Sequence, residues 1–206
     1  DVMRDVPLAT IGGRGVFVDA IENALRQGEI DLAVHSAKDL PSRIPDDLAI
    51  AAFLERADPR DVLVSRAGTL EELPDGARVG TSSLRRVSLI HAVRPDINTL
   101  DLRGNVDTRL RKLDAGDYDA IVLAGAGLIR LSLTNRVTEW LPAESFLPSP
   151  GQGALAIEVR ASDADLQQLF RPLAHAPTEA ALAAERAFLA QLGVGCAAAV
   201  GAHATV

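Results

Sequence analysis

Short apolar runs alternate with amphipathic stretches along most of the chain. Residues 1–15 show no periodicity, contain Pro7, Gly12, Gly13 and Gly15, and read as loop. Phe17, Ile21, Ala24 and Leu25 then recur at helical spacing, and Gly28 closes that helix. The apolar run 30–35 predicts a buried strand whose end delivers His35-Ser36-Ala37-Lys38-Asp39. Further strands are predicted at 48–54, 62–65, 78–80, 97–102, 120–124 and 154–159. Helices are predicted at 84–93, 106–114 and 127–131, followed by a last helix after Pro172. For that helix Thr178 is the candidate N-cap, Leu182, Leu189 and Leu192 the stripe, and Gly193 the stop.

Strands alternating with helices predict α/β layers with mixed, mostly parallel sheets. Breaks near 54–62 and 147–154 bracket one α/β unit, as in a chain that leaves one domain, builds a second and returns. The expected division is 1–56 with 153–172 for a first domain, 57–152 for a second, and 173–206 for the start of a third. A double crossing of this kind predicts a cleft with sites at strand C-terminal ends.

Composition narrows the class. Of 206 residues, 48% are hydrophobic and 24% charged, the balance of a globular chain rather than a disordered one. No apolar run is long enough for a membrane span, no secretory leader is visible, and the single cysteine excludes a disulfide framework or a multi-thiolate metal site. A cytoplasmic protein without a metal is the expectation. The net charge of −7 argues against general nucleic-acid binding. Residues 78–136 nevertheless hold ten Lys/Arg against six Asp/Glu, which points to a local anionic ligand or to a solvated helix face.

Candidate chemistry gathers at predicted strand ends. Asp39 follows a buried strand, where a carboxylate can stabilise developing positive charge; a turn aspartate before Pro41 is the plainer alternative. Lys38 beside it reads alone as a surface lysine, and His35 as a packed strand-end histidine. In Gly80-Thr81-Ser82-Ser83-Leu84-Arg85-Arg86 a strand runs into three hydroxyl residues and a helix start, an arrangement that binds anions. The alternative is a Ser/Thr cap with two solvated arginines, although cations there oppose the helix dipole. Arg103, Arg109 and Arg130 follow the next strand ends. Together they would suit a polycarboxylate, since no Walker-type phosphate loop is present. Cys196, in Gly-Val-Gly-Cys after a helix end, is either an inert buried thiol or an accessible nucleophile or tether.

These motifs, in order, resemble a known family. They are 13–18 (Gly-Arg-Gly-Val-Phe-Val), 33–41 (Ala-Val-His-Ser-Ala-Lys-Asp-Leu-Pro), 56–61 (Arg-Ala-Asp-Pro-Arg-Asp), 79–86, 102–110, 150–154 (Pro-Gly-Gln-Gly-Ala) and Gly195-Cys196. The set is similar to porphobilinogen deaminase, also called hydroxymethylbilane synthase, over essentially the whole chain. The resemblance implies three α/β domains, the first two like periplasmic binding proteins. It implies a covalent dipyrromethane cofactor on a thioether to Cys196, and head-to-tail joining of four porphobilinogens with release of ammonia. Asp39 matches the catalytic aspartate. Lys38, Thr81, Ser82, Ser83, Arg85, Arg86, Arg103, Arg109 and Arg130 match cofactor- and substrate-binding positions. The expected partner is porphobilinogen alone, with the protein a monomer that contacts neither nucleic acid nor membrane.

Departures from the family pattern are visible. The family's opening strand, helix and second strand, with an arginine and a serine near the cofactor, are not in this sequence, and its third domain continues well past the cysteine. A chain truncated at both ends is the expectation, with an unpaired gap in the first domain's sheet. Arg14 and Asp19 stand where relatives carry lysine. Two rival readings remain: a non-catalytic two-domain carboxylate binder, and a thiol hydrolase using His175 or His203 with Cys196.

Overall fold

The computed structural model describes residues 15–193 and 198–206. The opening segment through Arg14 and residues 194–197, with Cys196, lie outside the described residues. In chain order the elements are α1 (Gly15–Gln27), β1 (Leu32–Ser36), β2 (Leu48–Phe53), β3 (Asp61–Ser65), β4 (Arg78–Gly80), α2 (Leu84–Val93), β5 (Asn98–Leu100) and α3 (Val106–Asp114). Then follow β6 (Ala120–Ala124), α4 (Gly125–Arg130), β7 (Glu139–Trp140), β8 (Leu155–Arg160), α5 (Ala164–Phe170) and α6 (Ala176–Leu192). A 3-10 turn at Ala37–Asp39 follows β1 directly.

The chain forms two compact units. Unit 1 comprises residues 1–56, 154–197 and 204–206; unit 2 comprises 57–153 and 198–203. The helix expected to open a third domain, α6, is grouped with unit 1, and its Leu182 is fully buried beside Leu40 and Ala156. Its N-cap is His175 rather than Thr178. Thr178 lies inside the first turn, and its hydroxyl accepts the Arg56 amide at 3.1 Å. Arg56 also pairs with buried Glu185 of α6 at 2.6 Å, so the residue ending this part of unit 1 is tied to the last helix.

In unit 1 the strand order is β1-β8-β2, and both pairings are antiparallel. Unit 2 has the order β5-β4-β6-β3-β7, with β4 parallel to β5 and β6 but β3 antiparallel to β6 and β7. The sheets are mixed as expected, yet antiparallel pairings outnumber parallel ones among the described strands. Parallel neighbours need a crossover, and the helices α2 and α3 supply crossovers only around β4. β3 and β8 each follow a segment that belongs to the other unit, so they insert against neighbours running the opposite way. Among the described strands β8 lies between β1 and β2, its pairing with β2 shifts register between Ile50 and Ala52, and β1 stands at an edge.

One face of the first sheet is covered by α1, whose Leu25 is fully buried with Ala33 and Leu48. In unit 2 two apolar layers sandwich the sheet. Leu63, Val79 and Val122 face Ile90 of α2 on one side, and Val62, Val64 and Ile121 face Leu110, Leu113 and Leu128 on the other. The alternating pattern of β3 and β6 divides between these layers, as a two-sided sheet requires.

Candidate functional site

The C-terminal ends of the parallel strands β4, β5 and β6 lie along one edge of the unit 2 sheet. The start of β3 joins them, because Asp61 pairs in register with Ala124 at the end of β6. At this edge Gly80 closes β4. A Cβ there would press on Tyr118 at 2.9 Å and on Ile121 and Leu102 at 3.1 Å, so the close packing admits no side chain. Thr81 is buried; its amide donates to Leu100 O at 2.8 Å, and its hydroxyl accepts the Ser83 amide at 3.2 Å. Ser82 Oγ donates to Leu102 O at 2.7 Å and accepts from Leu102 N at 3.0 Å, stapling the end of β4 to the segment after β5.

Ser83 is the N-cap of α2 and makes no side-chain cap bond. The first helical bond runs from Val87 N to Ser83 O, so the amides of the opening turn are directed outward from the helix start. This is the geometry of an anion-receiving helix terminus, with the Thr81 and Ser83 hydroxyls beside it.

Arg85 and Arg86 depart from the plainer of the two readings of the sequence. Neither is a solvated helix-face cation, for both are 5% exposed. Their guanidiniums converge on the fully buried Asp61. Arg85 Nη2 meets Oδ2 at 2.7 Å, while Arg86 Nε and Nη2 meet Oδ1 at 3.1 and 2.7 Å. Arg85 Nη1 also donates to Leu147 O at 2.6 Å and Arg86 Nη1 to Val122 O at 3.0 Å. Gln152 Nε2 completes the cluster with bonds of 2.8 Å to Asp61 Oδ1 and to Pro59 O. Burial alone would raise the Asp61 carboxyl, but the Arg86 and Arg85 charges hold it below its ordinary value.

Arg103 and Arg109 flank the turn between β5 and α3. Arg103 Nε donates to Asp101 at 2.9 Å and Arg109 Nε to Gly104 O at 2.7 Å. The helix that carries Arg109 starts at Asn105, whose side chain accepts the Thr108 amide at 2.9 Å. Arg130, at the end of α4, donates to Gly153 O at 2.6 Å, and burial pulls its guanidinium below its ordinary value without threatening its charge.

Lys38 and Asp39 belong to unit 1, in the 3-10 turn at the C-terminal end of β1. Ala37 N donates to Ala154 O at 3.0 Å and Leu40 N to Ala37 O at 3.3 Å, so the turn is pinned to the segment leading into β8. Both side chains are half-buried. His35, read as a packed strand-end histidine, is buried with Nε2 3.0 Å from Oε2 of the fully buried Glu158 on β8. His175, a candidate in the thiol reading, sets its Nδ1 2.8 Å from the Thr178 hydroxyl.

Unit 2 therefore gathers Thr81, Ser82, Ser83, Arg85, Arg86, Arg103, Arg109 and Arg130 on loops and helix ends beyond one sheet edge. The sequence reading missed Asp61, Gln152 and Glu158. The first two stood in quoted motifs without a role; Glu158, inside an apolar strand, gave no signal beyond being a charge at a buried position. The donors of unit 2 are cations, amides and hydroxyls, a set matched to a ligand carrying several carboxylates.

The family model described as "Porphobilinogen deaminase, dipyromethane cofactor binding domain" matches residues 1–168. A porphobilinogen deaminase of Roseiflexus castenholzii is 56% identical over 205 residues, covering 99% of this chain and 68% of that protein. One of Brevibacillus brevis is 54% identical over 207 residues, covering 100% of this chain and 67% of that one. Among solved structures, a putative methionine-binding lipoprotein of Bacillus subtilis superposes with a TM-score of 0.50 at 14% identity, covering 77% of this chain and 76% of the other. That likeness concerns the fold alone: α/β, with two periplasmic-binding-protein-like domains. By its sequence, the chain belongs to the porphobilinogen deaminase family of tetrapyrrole biosynthesis.

Proposed function

We propose that this chain carries the cofactor- and substrate-binding core of a cytoplasmic, monomeric transferase that joins four porphobilinogens head to tail into hydroxymethylbilane. The observation that supports this most is the donor set beyond the unit 2 sheet edge: a helix start lined with hydroxyls, Arg103 in the turn after β5, Arg109 on α3 and Arg130 at the end of α4. Each pyrrole of the substrate carries an acetate and a propionate, so a growing chain brings two carboxylates per ring. Guanidinium forks bind carboxylates in two places at once.

The same donor set suits a dipyrromethane. When bound, that group would supply the free pyrrole α-carbon that the first porphobilinogen joins, each later one joining the terminal ring of the growing chain, and Cys196 would hold it as a thioether. Arg103, Arg109 and Arg130 hold side-chain carboxylates, while the α2 amides with Thr81 and Ser83 orient another. At each addition the C–N bond of the substrate aminomethyl group breaks, and the nitrogen leaves with the electron pair as ammonia. The Asp39 carboxylate offsets the cation left behind and accepts hydrogen bonds from pyrrole N–H groups. A C–C bond then forms, and the displaced α-proton is lost. Lys38 supplies a further positive contact beside Asp39.

Intact-mass measurement tests the reading. The chain expressed in a cell that makes dipyrromethane should carry a dipyrrole adduct that gives the colour of an acidic Ehrlich-type reagent, and Cys196→Ser should carry none. Asp39→Asn should keep the adduct and lose turnover by about a hundredfold or more. An adduct on Cys196→Ser, or wild-type turnover in Asp39→Asn, would sink the assignment and favour a passive carboxylate binder.

A further inference from the structure

The motif 56–61 ends in a residue for which the proposed reaction has no direct use. Asp61 opens β3 with a side chain that is fully buried, and it lies beside the ends of β4 and β6. A buried carboxylate is costly unless it is paired and hydrogen-bonded. Here it is satisfied by both arginines at the start of α2 and by Gln152, through four contacts between 2.7 and 3.1 Å. Arg85 and Arg86 are neighbours in sequence on a helix that offers them no local anion: α2 has no acidic residue in its first turn. Two guanidiniums side by side at the positive end of a helix repel one another and the dipole. Without a common anion they would swing toward solvent.

We propose that Asp61 is a positioning residue, and that Gln152 positions Asp61. The carboxylate divides its oxygens between the two cations, Oδ2 to Arg85 and Oδ1 to Arg86. It thereby fixes the direction of each planar fork before any ligand arrives. Gln152 ties Oδ1 to the Pro59 carbonyl through one amide nitrogen, so the segment entering β3 and the Pro-Gly-Gln-Gly turn leaving unit 2 are joined at the atom that aims Arg86. The two motifs left without a role in the sequence thus act on the one that binds. This rests on the proposed use of the α2 start for pyrrole carboxylates. It goes beyond that use by naming what presets the arginines.

Arginine side-chain NMR on the intact chain reads the positioning directly. In the wild type the Arg85 and Arg86 guanidiniums should show hindered rotation, with resolved Nη signals and slowly exchanging Nε–H protons. In Asp61→Asn these signals should average, and porphobilinogen affinity, measured by calorimetry, should fall on the order of a hundredfold. Gln152→Met, which keeps both ion pairs, should broaden the Arg86 signals more than those of Arg85 and weaken affinity by about tenfold; it decides the matter if Asp61→Asn does not fold. A folded Asp61→Asn with unchanged arginine signals, or with affinity within about twofold of wild type, overturns the proposal, as does a Gln152→Met indistinguishable from wild type. A wild-type chain without measurable porphobilinogen affinity overturns the functional reading instead, and the arginine signals alone then decide whether Asp61 fixes the two forks.

Discussion

Glu22 occupies a core position in the stripe of α1, between Val18 and Leu25, and is only 4% exposed. Burial raises its carboxyl above the ordinary value, the Glu158 charge adds to this, and the Arg26 contact at 3.1 Å opposes it. Below the unfolded value Glu22 is protonated in both states and costs nothing. As pH rises, the unfolded chain ionises first, and stability declines until the folded group has ionised too. Glu22→Gln should therefore melt a few degrees above wild type at pH 7, with the gap closing toward pH 4 in thermal scans. A gap that widens on acidification would contradict the assignment. Asp61 has the reverse sign: its pairing with Arg86 and Arg85 stabilises above the unfolded carboxylate value and is lost on acidification. At this scale the sequence is a poor guide to what a charged residue does. Arg85 and Arg86 could not be matched with Asp61 by any local pattern, because it lies 24 and 25 residues earlier in the chain. His35 could not be matched with Glu158, 123 residues away, by any local pattern.

Elements were legible where local signals agreed with one another. The reading placed β4, α2, α3 and β6 at their observed bounds. For α3 the reason is visible: an Asn cap, Asp107 in the first turn, Arg111 and Lys112 in the last, and an apolar stripe at Leu110 and Leu113. The seven-residue α5 was missed. Its fixed start depends on Asp163 accepting the Leu166 amide, too short a pattern to establish a period. The two-residue β7 was missed because its place is set by pairing with β3 and by packing of Trp140. That packing makes a second test. Gly125 begins α4 directly beneath the Trp140 ring; an added Cβ would strike the ring and come within 3.2 Å of the Arg60 carbonyl. Arg60 lies over the other part of this contact, 4.8 Å from the ring centroid. Gly125→Ala should cost about 1–3 kcal/mol by overpacking, measured by denaturant unfolding. Relief by Trp140→Leu in the same background would show that the ring is the cause.

For the whole molecule the charge distribution, not the net charge, bears on ligand choice. Unit 2 holds twelve Lys/Arg against thirteen Asp/Glu, so most of the net charge of −7 falls on unit 1, and the site edge uses the unit 2 cations together with amide donors. Porphobilinogen affinity should weaken steadily as salt is raised, since screening shortens to about 3 Å at 1 M; affinity independent of salt would place the ligand elsewhere. The return of the chain also has a consequence for synthesis. Among the described strands of unit 1, β1 and β2 are joined through β8, which ends at Arg160. A polypeptide emerging from the ribosome therefore completes every strand of unit 2 before the earlier-made half of unit 1 acquires its middle strand. During that interval two apolar ribbons wait with open edges, and a chaperone that shields them would guard β1 and β2 rather than the later-made β8.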